Sequence, residues 1–348
     1  MFEIKSNPQL NKESFVFNNK GEYPYFTRTI FNNGILGYVD YLDTEHKIKG
    51  NCLAVGMMAM KFFYIKNDFY AGQFTKRAIP LGFELNEKIA SFFITLLNKK
   101  QDIFKNVLVR DFEKTFKKEK ILLPIKNNEI DFDFIENFID ELEKSKINQV
   151  KEYLQKNNLD NYNLTEKEQK VLEKFENEES DWEDFNIIDL FEVKNCGNIL
   201  SRDIIENSGN TPYLCASREN NSVSSYINYD SKFIDKGHCI FIGGKTFVVT
   251  YQEKDFFSND SHNLGLYFKD KQINKFHYFF LISCIEKALH HKYSWGNSIS
   301  KTKIKTDKIK LPIKNNEIDF ESMEILVSAI EKLVIKDVVL YVEKKLNI

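Results

Sequence analysis

The sequence lacks the features that define several common protein classes. No apolar run approaches eighteen residues, and the longest, around Ile89–Leu97 and Tyr278–Ile285, reach about half that length, so no membrane-spanning helix is expected. Met1–Lys5 contains no basic region followed by an apolar stretch, so no secretory signal is expected. Five cysteines form an odd set without a C-x-x-C pair, which favours reduced thiols in the cytoplasm over disulfides or a zinc site.

Motifs that carry catalysis are also missing. No [N/D]-P-P-[Y/F] methyltransferase motif occurs, because Asn7-Pro8 is followed by Gln9. Gly244-Lys245-Thr246 resembles the end of a phosphate-binding loop, but the glycine required five residues earlier is Cys239. We therefore expect a chain that is not an enzyme and that holds no cofactor and no metal.

The chain has a composition suited to packed cores, with 42% hydrophobic and 14% aromatic residues, and its charge is uneven. The formal net charge of −2 conceals +6 in residues 1–125, −12 in 126–192, +6 in 193–311 and −2 in 312–348. Two basic blocks separated by an acidic one suggest separate partners for separate parts of the chain. The alternative is an acidic solvated helix and linker between two ordinary domains.

The chain is a tandem repeat. The ten residues Leu123–Phe132 recur unchanged as Leu311–Phe320, an offset of 188. Further matches at offsets of 187 or 188 pair Pro24-Tyr25 with Pro212-Tyr213, Asn32-Asn33 with Asn220-Asn221, Cys52 with Cys239, and Gly56 with Gly243. The sequence therefore consists of two copies of one unit of about 155 residues, joined by a polar segment.

Each copy shows the same order of predicted elements. Short strands separated by turn residues come first, and in the second copy they include Thr246–Tyr251. One amphipathic helix follows, predicted over Asn86–Lys99 and Asn274–His290. After Asp131 and Asp319, which are candidate N-caps, the pattern becomes helical for roughly 26 residues, or about 39 Å.

The two long helices carry apolar seams. In the second copy Met323 begins a 4-3-4-7 spacing that continues through Val327, Ile330, Val334 and Tyr341. The first copy is weaker and keeps Ile135, Phe138 and Leu142. The simplest use of two matching seams is to pack them antiparallel about a pseudo-two-fold axis. The alternative is that each helix docks onto its own domain.

Three motifs together resemble the DNA-specificity (S) subunit of type I restriction–modification systems and the similar S subunits of type IIB systems. They are the lead-in Trp182-x-x-Phe185, the segment Thr211-Pro-Tyr-Leu-x-x-Ser217, and the Leu-Pro-Ile…Ile-Asp-Phe segment before each long helix. The resemblance covers the chain except for about Leu159–Ser180. The first copy departs from it, because the copy starts at Met1-Phe2-Glu3 without the Trp-x-x-Phe lead-in.

The resemblance implies an α+β or α/β fold with two target-recognition domains on an antiparallel helical spacer. It implies a non-catalytic subunit in which each domain recognises half of a bipartite double-stranded DNA target. The spacer would dock adenine methyltransferase subunits that bind S-adenosylmethionine, and a restriction subunit joins in type I assemblies. The implied segments are recognition domains at 1–128 and 182–316, spacer helices at 129–158 and 317–348, and an acidic linker at 159–181.

Two other functions remain open. One is a structural adaptor, or a decoy that resembles a specificity subunit. The other, a stand-alone nuclease or methyltransferase, is disfavoured by the missing motifs. Salt dependence separates DNA binding from apolar adaptor contacts, because phosphate contacts release counterions.

Candidate DNA-contacting residues come from two arguments. Arginine is scarce, at five of 49 basic residues, and Arg28 and Arg218 lie in the corresponding turn of each copy. Asn32, Asn33, Asn220 and Asn221 can pair with adenine but are equally typical of structural turns. Residues that differ between the copies are specificity candidates, namely Gln73, Lys76 and Arg77 against Asn259, Asp260 and His262, and Met57-Met58 against Gly244-Lys245.

Overall fold

The computed structural model describes residues 1–18, 20–269 and 273–347. The chain forms two compact units, Met1–Val150 (unit 1) and Lys151–Ile348 (unit 2). The boundary falls near the end of a long helix that begins in unit 1. No helix in the described part of the chain has the length and apolarity needed to cross a membrane.

Unit 1 combines two β-sheets, a hairpin and helices. The strands are β1 (Phe2–Ser6), β2 (Tyr23–Phe26), β3 (Ile35–Val39), β4 (Cys52–Gly56), β5 (Lys61–Ile65), β6 (Tyr70–Ala71), β7 (Thr75–Pro80), β8 (Ile125–Lys126) and β9 (Glu129–Ile130). The helices are α1 (Glu87–Asn98), α2 (Gln101–Lys118) and α3 (Phe132–Lys156). The sheets have the orders β1-β7-β4-β5, β3-β2-β6 and β8-β9.

Unit 2 contains a matching set of elements. The helices are α4 (Glu166–Glu176), α5 (Ile187–Leu190), α6 (Lys275–Leu289) and α7 (Phe320–Leu346). The strands are β10 (Asp181–Asn186), β11 (Phe191–Asn195), β12 (Thr211–Leu214), β13 (Val223–Ile227), β14 (Cys239–Ile242), β15 (Val249–Gln252), β16 (Phe257–Ser258), β17 (Leu264–Phe268), β18 (Lys308–Lys314) and β19 (Glu317–Ile318).

The strand orders confirm the predicted duplication. The four-stranded sheet β11-β17-β14-β15 of unit 2 repeats the order β1-β7-β4-β5 of unit 1, and β13-β12-β16 repeats β3-β2-β6. In both small sheets the hairpin pair is antiparallel and the third strand is parallel. Unit 2 adds a third sheet, β10-β18-β19, where unit 1 has only the pair β8-β9 in its described residues.

The main sheet of each unit is buried on both faces. Alternate side chains of a strand point to opposite sides of the sheet, and the side chains on each side enter a separate core cluster. In unit 1 Leu53, Val55 and Phe62 pack in the cluster that contains the buried face of α1. Ala54 and Phe63, one residue along each strand, pack with the small-sheet side instead. The sheet is therefore the middle layer between a helix and a second sheet.

The predicted amphipathic helices are confirmed as α1 and α6. Asn86 is the N-cap of α1 and accepts hydrogen bonds from the N–H groups of Lys88 and Ile89. Asn274 caps α6 in the same way. A side-chain oxygen at this position satisfies backbone donors that have no partner within the helix, which fixes where both helices begin.

The long helices α3 and α7 begin where the sequence predicts. The N–H of Phe134 donates to Asp131 Oδ1 at 2.9 Å, and the N–H of Ser322 donates to Asp319 Oδ1 at 3.0 Å. Their lengths of 25 and 27 residues match the expected 26 or so. In their first turns, Ile135 is buried in the core cluster of unit 1 and Met323 in that of unit 2.

The expectation of a single amphipathic helix between the strands and the long helix is wrong in unit 1. A second helix, α2, follows α1 directly. Its Phe104, Phe112 and Phe116 gather around Phe62, with ring centroids 6.0, 6.3 and 5.9 Å from that ring. This aromatic cluster stabilises a helix for which unit 2 has only turns and a short 3-10 helix at Lys303–Thr306.

The segment treated as an acidic linker, 159–181, contains the helix α4. Thr165 and Glu168 form a capping box at its start. Glu168 is 6% exposed, and its carboxylate accepts hydrogen bonds from Lys332 Nζ and Ser328 Oγ of α7, both at 2.8 Å. The segment is therefore held against α7 by a buried ion pair.

One predicted strand starts later than expected. The strand predicted over Thr246–Tyr251 is β15, which begins at Val249. The preceding residues form a turn in which the N–H of Phe247 donates to the Gly243 carbonyl at 2.9 Å, and Phe247 has φ 51°. A residue in the left-handed region cannot continue a strand, so the turn delays β15.

Candidate nucleic-acid interface

Three loops meet at one end of unit 2, and they span residues 215–222, 243–247 and 259–263. Thr246 Oγ1 donates to the Ala216 carbonyl at 3.0 Å, which joins the first loop to the second. The N–H of Gly244 donates to Asn263 Oδ1 at 3.0 Å, which joins the second to the third. We call this surface the loop end of unit 2.

The loop end of unit 2 collects six of the residues predicted to contact DNA: Arg218, Asn220, Asn221, Lys245, Asn259 and His262. Five of them are exposed, and Asn259 is partly buried. The second and third loops approach closely, because a Cβ atom on Gly244 would lie 2.2 Å from the His262 carbonyl oxygen. Only glycine fits there, and this close approach places Lys245 beside His262.

Asp260 organises the two cationic candidates of this surface. Its carboxylate lies 2.7 Å from Lys245 Nζ and 2.7 Å from His262 Nδ1. Partial burial raises the pKa of Asp260, but hydrogen bonds from Lys245 and His262 outweigh burial and lower it to about 2. Lys245 therefore has an internal carboxylate partner, with which a phosphate group would compete.

The asparagine pairs form the same turn in both units. Asn32, Asn33, Asn220 and Asn221 all have φ between 46° and 53°. The side-chain amide of Asn32 donates to the Ile35 carbonyl at 3.2 Å, and those of Asn220 and Asn221 donate to backbone carbonyls at 2.9 Å. These contacts support the structural interpretation of the pairs, since left-handed turns favour asparagine.

Unit 1 has an equivalent loop end, formed by residues 27–34, 57–60 and 72–74. The N–H of Met57 donates to the Phe74 carbonyl at 2.9 Å, and the N–H of Gly72 donates to the Phe26 carbonyl at 2.8 Å. The guanidinium of Arg28 lies 5.7 Å from the centre of the Phe74 ring. The predicted residues Arg28, Asn32, Asn33 and Gln73 all lie on this surface.

The predicted correspondence of the two arginine-bearing turns is confirmed, but the two arginines are not equivalent in position. Gly56 and Gly243 occupy equivalent positions in the two units, so the residue that each approaches shows which turn residues correspond. A Cβ atom on Gly56 would lie 2.6 Å from Arg28 Cα, and one on Gly243 would lie 2.5 Å from Ala216 Cβ. Arg28 thus matches Ala216, and Arg218 lies two residues further along its turn. The arginines are presented at different points of a common scaffold.

Lys76 and Arg77 differ from the other candidates because they lie within β7. Lys76 Nζ donates to Ser6 Oγ, and Arg77 Nη1 donates to Asn7 Oδ1, both at 2.9 Å. Asn7 is buried and donates in turn to the buried Thr75 hydroxyl. Arg77 is partly buried and ties β7 to the end of β1, so its geometry favours a structural role.

Sequence reasoning missed a group of exposed apolar side chains at the loop end of unit 1. Phe31, Met58 and Phe74 are all exposed there, and of the three the copy comparison found only Met58. The signal was available, because aromatic residues in turn-forming segments have no core to enter. Flat side chains at such a surface suit stacking or apolar contact with bases.

The predicted seam residues of the long helices divide into two groups. Ile135 is buried in unit 1, and Val327 packs against the core of unit 2. The others are exposed: Phe138, Leu142, Ile330, Val334 and Tyr341. Ile135 lies in the first turn of α3 and Val327 in the third turn of α7, whose Ala329, Val339 and Val342 are also buried, so buried and exposed apolar side chains both occur along most of α7. The antiparallel pairing of α3 with α7 stays a prediction.

No group of three or more His, Cys, Asp or Glu side chains placed to hold a metal ion occurs in residues 1–18, 20–269 and 273–347.

The sequence and the fold match a known class. The sequence profile of the type I restriction modification DNA specificity domain matches residues 1–152 and again 179–340. The chain therefore belongs to this family and is a DNA specificity subunit of a restriction–modification system. The double match also confirms the two-domain repeat, and it does not favour the adaptor alternative.

Two relatives illustrate the class. The chain is 24% identical over 323 residues to S.BcgI, the specificity subunit of a type II restriction enzyme from Heyndrickxia coagulans, covering 91% of this chain and 88% of that protein. The S subunit of a type I restriction–modification system from M. genitalium superposes with a TM-score of 0.57 at 14% identity, covering 99% of this chain and 90% of that one. At that identity the second match concerns the fold alone.

Proposed function

We propose that each unit recognises one half of a split double-stranded DNA target through its loop end. The observation that carries this proposal is that one scaffold presents two equivalent sets of three loops with different side chains. Unit 1 offers Arg28, Gln73 and Phe74, and unit 2 offers Arg218, Lys245 and His262. The recognition domains would span about residues 1–128 and 182–316.

Charge supports this division. The blocks 1–125 and 193–311 each carry a net charge of +6, which suits contact with phosphates. The acidic block 126–192 holds α3 and α4 and would face protein rather than DNA. Phosphate contacts position a protein on DNA, whereas base contacts select the sequence. The loop ends would make the base contacts.

The long helices would set the gap between the half-targets and dock other subunits. Exposed seam side chains such as Phe138, Val334 and Tyr341 provide the apolar surface for this role. We infer that the partners are adenine methyltransferase subunits carrying S-adenosylmethionine, with a restriction subunit in a type I assembly. This chain itself would catalyse no reaction.

Target selection from randomised duplexes, with the chain and its methyltransferase partner together, tests the proposal. The double variant Arg28→Ala/Gln73→Ala should relax the sequence preference in one half of the target only. Lys245→Ala/His262→Ala should relax the other half. Lys232→Ala is the matched control, because Lys232 lies beyond the opposite end of β13 from the loop end.

Three results would contradict the proposal: a selected sequence without a gap, a variant that alters both halves alike, and methylation of DNA by this chain alone. Salt dependence gives a further check. Affinity should fall steeply with added salt if phosphates are contacted, whereas an apolar adaptor contact should change little.

A further inference from the structure

A tight turn in unit 2 carries an exposed tryptophan at its tip. Ser294 and Asn297 exchange two backbone hydrogen bonds, of 3.2 and 3.0 Å, so Trp295 and Gly296 form the corners of a two-residue turn. We call residues 294–297 the Trp295 turn. Trp295 is 76% exposed, so its ring lies in solvent and not in the core of unit 2.

Both sides of the Trp295 turn are fixed to the core. Before it, Tyr293 is 2% exposed, and its hydroxyl donates to Asp307 Oδ2 at 2.6 Å. After it, Ile299 is 1% exposed. Asn297 Nδ2 donates to the Lys292 carbonyl at 2.8 Å, which ties the turn to the segment before it. A tip held this way can bind a partner without the entropy cost of ordering a loop.

The Trp295 turn adjoins the loop end of unit 2. The N–H of Ile299 donates to the Gly244 carbonyl at 3.1 Å. The ring of Phe247 lies 5.6 Å from that of Tyr293 and 6.3 Å from that of His290, between centroids. Gly244 and Phe247 both belong to the second loop of the loop end. The turn therefore continues the surface that is proposed to recognise DNA.

The segment around the Trp295 turn is basic. Residues 287–306 contain five lysines, two histidines and no Asp or Glu. Lys303 Nζ donates to Asn297 Oδ1 at 2.7 Å, which holds the segment against the turn. Lys301 and Lys305, on either side of Lys303, are exposed. A basic surface of this kind attracts phosphates.

The side chains of this surface suit the DNA backbone better than the bases. An indole has one hydrogen-bond donor and no acceptor, so it cannot make the bidentate contacts that distinguish base pairs. Its flat apolar ring can pack on a deoxyribose while Nε1–H donates to a phosphate. Lysine acts toward phosphates as a point charge. Such contacts add affinity without sequence preference.

The Trp295 turn is particular to unit 2, because both tryptophans of the chain belong to that unit. The other tryptophan, Trp182 of β10, stacks on Phe280 of α6 at 6.2 Å between centroids and so has a structural partner. Between its amphipathic helix and β8, unit 1 has the helix α2. We therefore expect the effect of Trp295 beside one half of the target only.

We propose that the Trp295 turn, together with Lys301 and Lys305, is a clamp on the sugar–phosphate backbone of DNA beside the half-target of unit 2. The clamp adds affinity, and the loop end selects the sequence. This inference rests on the proposed function, because the loop end brings the DNA to the turn.

The test measures anisotropy of labelled duplexes with the chain and its methyltransferase partner, using the selected target and a scrambled sequence. Trp295→Ala should weaken binding to both duplexes about tenfold, with the same salt dependence, because the indole is uncharged. Trp295→Phe keeps a ring and should lose about twofold. Ile205→Ala is the matched control, because Ile205 is also 76% exposed but precedes β12, whereas the loop end follows it.

The lysines should act through salt dependence instead. Lys301→Ala/Lys305→Ala should reduce the slope of affinity against salt by about two, one for each phosphate contact. Lys232→Ala/Lys344→Ala removes the same charge elsewhere in unit 2 and should leave the slope unchanged. Hydroxyl-radical footprinting should show sugars that are protected beside the half-target of unit 2 and lose this protection in Trp295→Ala.

The outcomes separate the clamp from the proposed function. Unchanged affinity in Trp295→Ala, with the sequence preference retained, would overturn the clamp alone. A changed preference in that variant would assign Trp295 to base recognition and would also overturn the clamp. Loss of methyltransferase binding with unchanged DNA affinity would place a protein on the turn, with the same consequence. A wild-type complex without preference for a split sequence would overturn the proposed function and the clamp together.

Discussion

Units 1 and 2 carry nearly the same sequence just before the long helix, at residues 120–126 and 308–314, which we call the exit segments. The two exit segments lie in different environments. Residues 308–314 form a seven-residue strand in unit 2, whereas residues 120–126 of unit 1 form a two-residue strand. The difference follows from β10, which supplies backbone partners and covers the side chains of one exit segment only. An extended segment of this sequence becomes a stable strand only when a neighbour satisfies its backbone, which shows how strongly tertiary pairing controls strand formation.

The loop ends of the two units show the opposite relation: their backbone turns are alike, and their exposed side chains differ. The turns at 27–34 and 215–222 use the same left-handed asparagine pair. Around that turn, unit 1 exposes Phe31, Met58 and Phe74, whereas unit 2 exposes Lys245 and His262. Duplication has kept the backbone positions and changed the side chains, as expected of two domains that recognise different sequences.

The sharpest test of the exit-segment comparison is the pair Leu311→Ala and Leu123→Ala. Leu311 is fully buried, so its truncation should lower the free energy of unfolding of unit 2 by ~3 kcal/mol. Leu123 is partly buried, so its truncation should cost ~1 kcal/mol in unit 1. Urea denaturation measures both. Equal losses would mean that β10 does not account for the different burial.

The ion pair between Glu168 and Lys332 gives the next largest effect. Lys332→Met would leave the buried carboxylate of Glu168 without its cation and should destabilise unit 2 by ~2 kcal/mol. Lys344→Met, at an exposed position of the same helix, is the control and should change stability little. A wild-type stability in Lys332→Met would show that α4 is not held by this contact.

The same pair predicts a pH dependence. Burial raises the pKa of Glu168, but hydrogen bonds from Lys332, Thr165 and Ser328 outweigh it and lower the pKa to about 2. A carboxyl with a depressed folded-state pKa stabilises fully above its ordinary value of 4.5 and loses that contribution as pH falls toward 2. Unit 2 should therefore lose stability over this window, less steeply in Lys332→Met, as measured by denaturation at each pH.

A smaller effect tests the loop end of unit 2. Lys245→Ala should weaken DNA binding about fivefold at low salt by removing one phosphate contact, and it should reduce the slope of affinity against salt. Lys232→Ala removes the same charge beyond the opposite end of β13 and should have no such effect. Fluorescence titration at several salt concentrations measures both. Equal losses would mean that binding depends on overall charge, not on the loop end.

The smallest expected effect is that of Asp260→Asn. Removing this carboxylate releases Lys245 and His262 from their internal partner and removes a negative charge from the surface. DNA binding should tighten about twofold if these cations meet phosphates. Weaker binding would indicate instead that Asp260 positions the two side chains for base contact. The same titration distinguishes the two results.

The sequence predicted the duplication, the caps and the long helices, because these features leave repeated local signals. The predicted cap Asp131 and its counterpart Asp319 both accept hydrogen bonds at the starts of the long helices. Asn86 is also a cap, a role that the sequence did not assign to it. The helix α2 was missed because the repeat led us to expect equal copies, although Phe104, Phe112 and Phe116 have helical spacing. The helix α4 was missed although Thr165-x-x-Glu168 is a capping-box signature, because the acidic composition suggested a linker.

The contacting residues were harder to predict, for a physical reason. Arg28 and Arg77 are both arginines near turns in the sequence, but Arg77 is bound by Asn7, seventy positions away, and Arg28 is at the surface. Such long-range partners follow from strand pairing, which composition does not reveal. Of the predicted set, the structure gathers four residues on the loop end of unit 1 and six on the loop end of unit 2: Arg28, Asn32, Asn33 and Gln73 on the first, and Arg218, Asn220, Asn221, Lys245, Asn259 and His262 on the second.

The stack of Trp182 on Phe280 has an optical consequence. The chain contains two tryptophans, Trp182 and Trp295, and both belong to unit 2. Intrinsic tryptophan emission therefore follows unit 2 alone, and unit 1 is silent at the same wavelength. Because Trp182 belongs to β10 and its ring stacks on Phe280 of α6, its emission will shift to the red when β10 detaches, so the unfolding of unit 2 can be followed without a label.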